Sequence, residues 1–208
     1  MPELPMFPLG TVLLPHMVLP LHIFEPRYRV LLHDVLDAED SQREFGVTLI
    51  TRGHEVGGGD QRAEVGAVAR ILRAQELEDG RWIVVAVGTR RIRVQRWLPE
   101  DPYPVAEVEE LPSAPPATGA AELLTELEPQ LRRSLAMLSE LGEEGVPSTF
   151  ELANDPEEAS WQAAVILPFN PYDAQRILET DEVTDRLRLI SSLVADLDET
   201  LAFRLQDE

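Results

Sequence analysis

The sequence predicts an α+β protein of two lobes, β-rich first and helical second. Three observations carry this. Leu111-Pro112-Ser113-Ala114-Pro115-Pro116 is a proline-rich break that can continue neither helix nor strand. Before it, short apolar runs and alternations recur with turn residues between them; after it, apolar residues recur at helical spacing. Acidity shifts at the same place: residues 1–112 carry 18 acidic and 12 arginine side chains (net −6), and residues 113–208 carry 20 and 6 (net −14). The expected division is a β lobe over 1–112, a linker over 113–118 and a helical lobe over 119–208.

In the first lobe, Phe45-Gly46-Val47-Thr48-Leu49-Ile50 reads as a strand, and Val65 to Leu77 as an imperfectly alternating one. Glu78-Asp79-Gly80 supplies a turn, with glycine at a left-handed position. Trp82 to Val87 is apolar throughout, as a strand covered on both faces would be. Ile92-Arg93-Val94-Gln95 alternates, and Val105-Ala106-Glu107-Val108 closes the set. Strands this short and this closely spaced suggest a small closed or half-closed barrel. One helix interrupts them: Pro26 suits the first helical position, and Tyr28, Leu31, Leu32, Val35 and Leu36 follow as an apolar stripe that can plug the barrel.

In the second lobe, Leu127, Leu131, Leu135, Leu138 and Leu141 share a helical face, with a kink or restart expected at Pro129. Asp155-Pro156-Glu157-Glu158 and Asn170-Pro171-Tyr172-Asp173 each combine a capping side chain with proline, starting helices that end near Leu167 and Glu179. The stripe Val183, Leu187, Ile190, Val194, Leu197 and Leu201 marks a final helix, completing an antiparallel bundle.

Composition removes several chemistries. No cysteine and no lysine occur among the 208 residues. Thiolate nucleophiles, cysteine-held metals, Schiff bases, Ser–Lys dyads and the P-loop lysine are thereby absent. A net charge of −20 repels phosphate backbones and anionic lipid. No apolar run approaches the ~20 residues of a membrane span, and MPELPMFPLG has no signal-peptide features, so a soluble, cytoplasmic protein is expected.

Candidate sites mostly reduce to architecture. His16, His22, His33 and His54 contain no i, i+4 pair, so no metal is expected. None of the eight serines sits in a G-x-S-x-G turn, so no catalytic residue is assigned. Gly57-Gly58-Gly59 leads toward Asp60, Glu64 and a strand, which suits a hairpin tip rather than a phosphate loop. Arg90, Arg91, Arg93 and Arg96 could grip RNA, but alternation splits them between faces and pairing with carboxylates is expected. Two apolar groups remain as polypeptide-binding candidates. One is Met6, Leu9, Val12, Leu13, Met17 and Val18, in a proline-punctuated stretch suited to strand addition. The other is Trp161, Phe169 and Tyr172. Ordinary core packing is the competing reading of both.

Four sequence segments resemble the N-terminal, substrate-binding domain of the Lon protease family. The most specific is Phe7-Pro8-Leu9, Leu14-Pro15 and Leu19-Pro20-Leu21-His22-Ile23-Phe24-Glu25-Pro26-Arg27-Tyr28. Glu64-Val65-Gly66-Ala67-Val68-Ala69-Arg70-Ile71 is similar to a second landmark, and Gly88-Thr89-Arg90-Arg91-Ile92-Arg93-Val94 with Tyr103 to Val108 to a third. Asp173 to Thr180 and Arg186-Leu187 resemble the closing helices. Of these, Phe7, Pro8, Leu9, Phe24, Glu25, Pro26, Arg27 and Tyr28 read as fold-determining, with Glu25 favouring the positive end of the helix that Pro26 opens.

The resemblance implies a PUA-like β lobe, a helical bundle, and other polypeptides as partners: unfolded or marked chains, or a protease or ATPase that handles them. It implies no cofactor and allows a homodimer. A complete Lon enzyme continues into an ATPase module and a Ser–Lys protease domain. This sequence has no G-x-x-x-x-G-K-[ST] and no lysine, so a stand-alone, non-enzymatic recognition module or proteolysis adaptor is expected. An RNA-binding PUA-like protein and a small-molecule sensor are the alternatives.

Overall fold

The structure, a computed structural model, describes residues 2–53, 61–112, 114, 118–143, 145–147 and 149–206. His54, the Gly57-Gly58-Gly59 tip and most of the proline-rich linker lie outside the described residues. The chain forms two compact units, Met1–Pro112 and Ser113–Glu208.

Among the described residues, the first unit holds a mixed six-stranded sheet and one α-helix. The strands are β1 (Glu3–Leu9), β2 (Val18–Ile23), β3 (Glu44–Arg52), β4 (Gln61–Glu76), β5 (Trp82–Trp97) and β6 (Val105–Leu111). The helix α1 (Pro26–Leu36) follows β2, and a short 3-10 turn over Asp40–Gln42 leads into β3. Pairing runs β2-β5-β4-β3-β1-β6, and β6 also pairs with β5. The ladder therefore returns on itself and leaves β2 at an edge. Met6, Val68, Ile92, Val94, Ala106 and Val108 form a core cluster. Tyr28, Leu31, Leu32 and Val35 of α1 are buried, while Leu36 is half-buried.

Two features of this unit differ from the sequence reading, and one agrees. The segments expected as separate strands at 82–87 and 92–95 are one strand of 16 residues. Gly88-Thr89-Arg90-Arg91 has no turn chemistry; instead Gly88 lets the Leu14 carbonyl approach, since a Cβ there would lie 2.1 Å from that oxygen. The proline-bearing segments 3–9 and 18–23 are also strands. In β1, Glu3–Pro5 pairs with β6 and Met6–Leu9 with β3, so Pro5 and Pro8 each meet one paired neighbour. Finally, the 78–80 turn forms as expected, with Gly80 at φ +76°.

The second unit holds α2 (Ala120–Glu140), α3 (Pro156–Ile166), α4 (Pro171–Glu179) and α5 (Val183–Gln206). Helices α2, α3 and α4 each pack on α5. Asp155 and Asn170 cap α3 and α4 by accepting the Glu158 and Asp173 backbone N–H groups. Helix α2 continues through Pro129 instead of restarting. Leu127, Leu131, Leu135 and Leu138 stay buried along it, so packing outweighs the one backbone bond that proline removes.

Candidate functional site

The residues marked as fold-determining build a corner of the first unit. Phe7, Leu9 and Tyr28 are buried, and Phe7 stacks on Tyr28 with ring centroids 4.0 Å apart. Glu25 precedes α1 but makes no capping bond; its carboxylate accepts from Arg27 Nε at 3.1 Å. Arg27 Nη1 bonds Glu100 at 2.6 Å, Glu100 lies 3.7 Å from Arg62 Nη2, and the Arg62 guanidinium stands 4.2 Å above Trp97. This chain of charges ties α1 to the end of β5. Burial pushes the Tyr28 hydroxyl up to about 12. Phe24 departs from the group: it is 56% exposed and sits beside the His22 ring.

The N-terminal apolar stretch is not a surface strip. Met6, Leu9, Val12 and Leu13 are buried, because β1 lies inside the closed ladder and residues 12–14 pack beneath Gly88. Met17 is half-buried and Val18 exposed. In the helical unit, Trp161 is buried beneath the Arg186 guanidinium, 3.7 Å from its ring, Phe169 is half-buried, and Tyr172 alone is exposed. That trio is therefore not one continuous surface either.

What the structure does assemble is an apolar face on β2, β5 and β4. Cross-strand register sets side chains in rows. Val18 lies beside Val87, which pairs with Arg70; Pro20 beside Val85, which pairs with Arg73; His22 beside Ile83, which pairs with Gln75. Leu72, at a register shift in β4, stands between the two arginines. Val18, Leu72 and Ile83 are 56%, 57% and 48% exposed, and Phe24 extends the β2 row. The expectation that Trp82–Val87 is covered on both faces is thus corrected: Trp82, Val84 and Ala86 are buried, Ile83 is exposed, and Val85 and Val87 are half-buried. Below Phe24, a hollow of about 130 Å³ is lined by Phe7, Leu21, Ile23 and Tyr28 among others.

The free edge of β2 has a specific limit. The Gly88 N–H bonds the Met17 carbonyl at 2.9 Å, and bonded positions then alternate along an antiparallel ladder. Leu19, Leu21 and Ile23 thus face β5, while Val18, Pro20 and His22 turn their backbone groups outward. Pro20, at the centre, offers no N–H. A strand cannot be added along the full edge as the sequence reading expected, and side-chain contact on the face is the available mode.

The arginines of β5 do not form a stripe. Arg90 pairs with Glu44 and Glu110, and Arg96 with Glu107. Arg91 is buried, its Nη2 donating to the Pro112 carbonyl. Among the described residues no three His, Cys, Asp or Glu side chains converge as metal ligands. No helix of the described residues is long and apolar enough to cross a membrane.

Comparison with known proteins gives consistent likenesses. The family model described as the ATP-dependent protease La (LON) substrate-binding domain matches residues 3–196. Lon protease 2 of Herpetosiphon aurantiacus is 30% identical over 199 residues, covering 93% of this chain and 24% of that protein. The Lon protease of Desulfovibrio desulfuricans is 29% identical over 131 residues, 62% of this chain and 15% of that protein. The chain thus spans a quarter or less of the length of these relatives. Among solved structures, the Lon N-terminal domain protein from Xanthomonas campestris superimposes with TM-score 0.66 at 26% identity, over 92% of this chain and 98% of that one. The N-terminal domain of Mycobacterium avium complex Lon protease gives TM-score 0.63 at 20% identity over 94% and 99%, a likeness of fold.

Proposed function

Because the chain belongs to the Lon substrate-binding domain family, we propose that it is a non-catalytic polypeptide-binding module that captures exposed apolar segments of unfolded or marked proteins. The observation that carries this reading is the row-by-row apolar face in which Val18, Pro20, Ile83 and Leu72 are exposed and Val85 and Val87 half-buried. A monomeric surface that leaves large aliphatic side chains contiguous invites an apolar partner. Covering each such side chain is worth about 1–2 kcal/mol, so several together sustain reversible capture. The surrounding negative charge keeps the module soluble while its face is open.

The same reading makes the chain a recognition part for a protease or ATPase, in the manner of an adaptor. It takes the first unit as a PUA-like barrel, supported by the ladder that returns through β6 to β5. It takes the second as a helical bundle, supported by the packing of α2, α3 and α4 on α5.

The test compares a permanently unfolded chain, reduced and carboxymethylated α-lactalbumin, with the same protein in its native disulfide-bonded form. The module binds the unfolded form and not the native one. The double variant Val18→Asp/Ile83→Asp, at exposed positions that preserve the fold, weakens that binding by at least about tenfold. Equal binding of both forms, or full retention by the variant, overturns the assignment.

A further inference from the structure

Arginines across the structure are held by carboxylates: Arg43 by Asp40, Arg81 by Asp79, Arg90 by Glu44, Arg188 by Asp185 and Arg204 by Glu143. Arg29, Arg70, Arg73 and Arg93 make no ion pair among the described residues, and of these Arg70 and Arg73 border the apolar face. Both are exposed on β4. Glu44 lies opposite Arg70 on β3, yet its carboxylate is engaged by Arg90 at 2.7 Å. The two free guanidinium groups flank the apolar face, Arg70 in the row of Val87 and Val18, Arg73 in the row of Val85 and Pro20.

In a chain of net charge −20, two exposed arginines that make no ion pair among the described residues, beside an apolar face, are available to an acidic group from outside. We propose that this face selects polypeptide segments in which an apolar stretch is followed or preceded by acidic residues, the apolar part lying on β2 and β5 and the carboxylates meeting Arg70 and Arg73. This rests on the polypeptide-capture reading and specifies its substrate class. Neighbouring strands lie about 4.8 Å apart, so the arginine column stands roughly 10 Å from the β2 column. An extended segment crossing the strands advances about 3.3 Å per residue, which places the acidic residue about three positions from the apolar anchor. Nucleic acid fits poorly: the rows offer aliphatic side chains in place of stacking aromatics, within an acidic field.

The inference runs against the field of the whole molecule, which makes it decisive to test. Labelled peptides sharing one six-residue valine–leucine core, flanked by aspartates, asparagines or lysines, are titrated against the full chain by fluorescence anisotropy. Long-range attraction alone ranks the lysine-flanked peptide tightest. The inference expects the aspartate-flanked peptide to bind about three- to tenfold tighter than the asparagine-flanked one, the gain expected of two exposed ion pairs, and to lose that advantage in high salt. The R70Q/R73Q variant removes the advantage, so that the aspartate- and asparagine-flanked peptides bind it equally. A lysine preference, no preference, or an aspartate preference that survives in R70Q/R73Q overturns it. If the asparagine-flanked peptide binds without an acidic advantage, this inference alone fails; if no peptide binds, the capture reading fails with it. A dimer in sedimentation that V18D dissociates gives the face to a second copy and also overturns the proposal.

Discussion

Phe7 of β1 stacks on Tyr28 of α1, centroids 4.0 Å apart and planes 17° from parallel, and so joins the two most specific parts of the N-terminal signature. Both rings are buried. Phe7→Ala removes the ring contact and leaves a cavity beside Tyr28, so unfolding free energy falls by about 3–5 kcal/mol. Urea unfolding followed by circular dichroism measures this; a loss below about 1 kcal/mol contradicts the role given to the stack.

Burial also sets an alkaline limit. Tyr28 and Tyr103 are both pushed up to about 12, in each case first by desolvation; for Tyr103 the Asp34 carboxylate that accepts its hydroxyl adds to this. The folded state holds these protons more tightly than the unfolded chain, whose tyrosines release them near the ordinary value of 10.0. The tyrosine contribution is therefore fully present below pH 10 and is lost as pH rises toward 12. Urea midpoints taken across that window fall for the wild type, less steeply for Tyr28→Phe, and least for Tyr28→Phe/Tyr103→Phe. An identical slope in all three contradicts the assignment.

In the helical unit, Arg186 is fully buried over Trp161, donating from Nε to Ser160 Oγ at 2.9 Å and from Nη1 to the Thr180 carbonyl at 3.0 Å. Lysine keeps the charge but not the planar stack or the fork of donors. Arg186→Lys lowers stability by about 1–3 kcal/mol; a change within about 0.5 kcal/mol shows that charge alone suffices there.

Gly88 carries a steric prediction. A Cβ would meet the Leu14 carbonyl oxygen at 2.1 Å, a backbone atom that cannot swing aside. Gly88→Ala pushes residues 14–17 from β5 and costs about 1–3 kcal/mol. Amide exchange resolves the effect: the His16 N–H, bonded to the Gly88 carbonyl at 2.8 Å, loses protection first. Unchanged protection there contradicts the account.

The parts of this fold legible in sequence are those set by near neighbours. Asp155 and Asn170 cap helices three residues away, and the α5 stripe needs one helix only. Strands β1 and β2 carry Pro5, Pro8 and Pro20, which blur their bounds in sequence because proline is disfavoured inside sheets, and which here occupy half-paired or outward positions. The candidate face was harder still. Val18 was visible as apolar, but its companions are Ile83, Val85 and Leu72, set beside it by pairing between distant strands rather than by the adjacent Leu13 or Val12, which are buried. The one signal available is the run Arg70-Ile71-Leu72-Arg73, whose arginines flank an apolar pair. Its meaning depends on register, which short-range spacing does not carry.

The most direct test of polypeptide capture on this face is amide hydrogen exchange of the full chain with and without saturating reduced, carboxymethylated α-lactalbumin. The account predicts added protection concentrated in β2 and the Trp82–Val87 half of β5, with the helices of the second unit unchanged. Protection confined to α2–α5, or none anywhere at saturation, would contradict it.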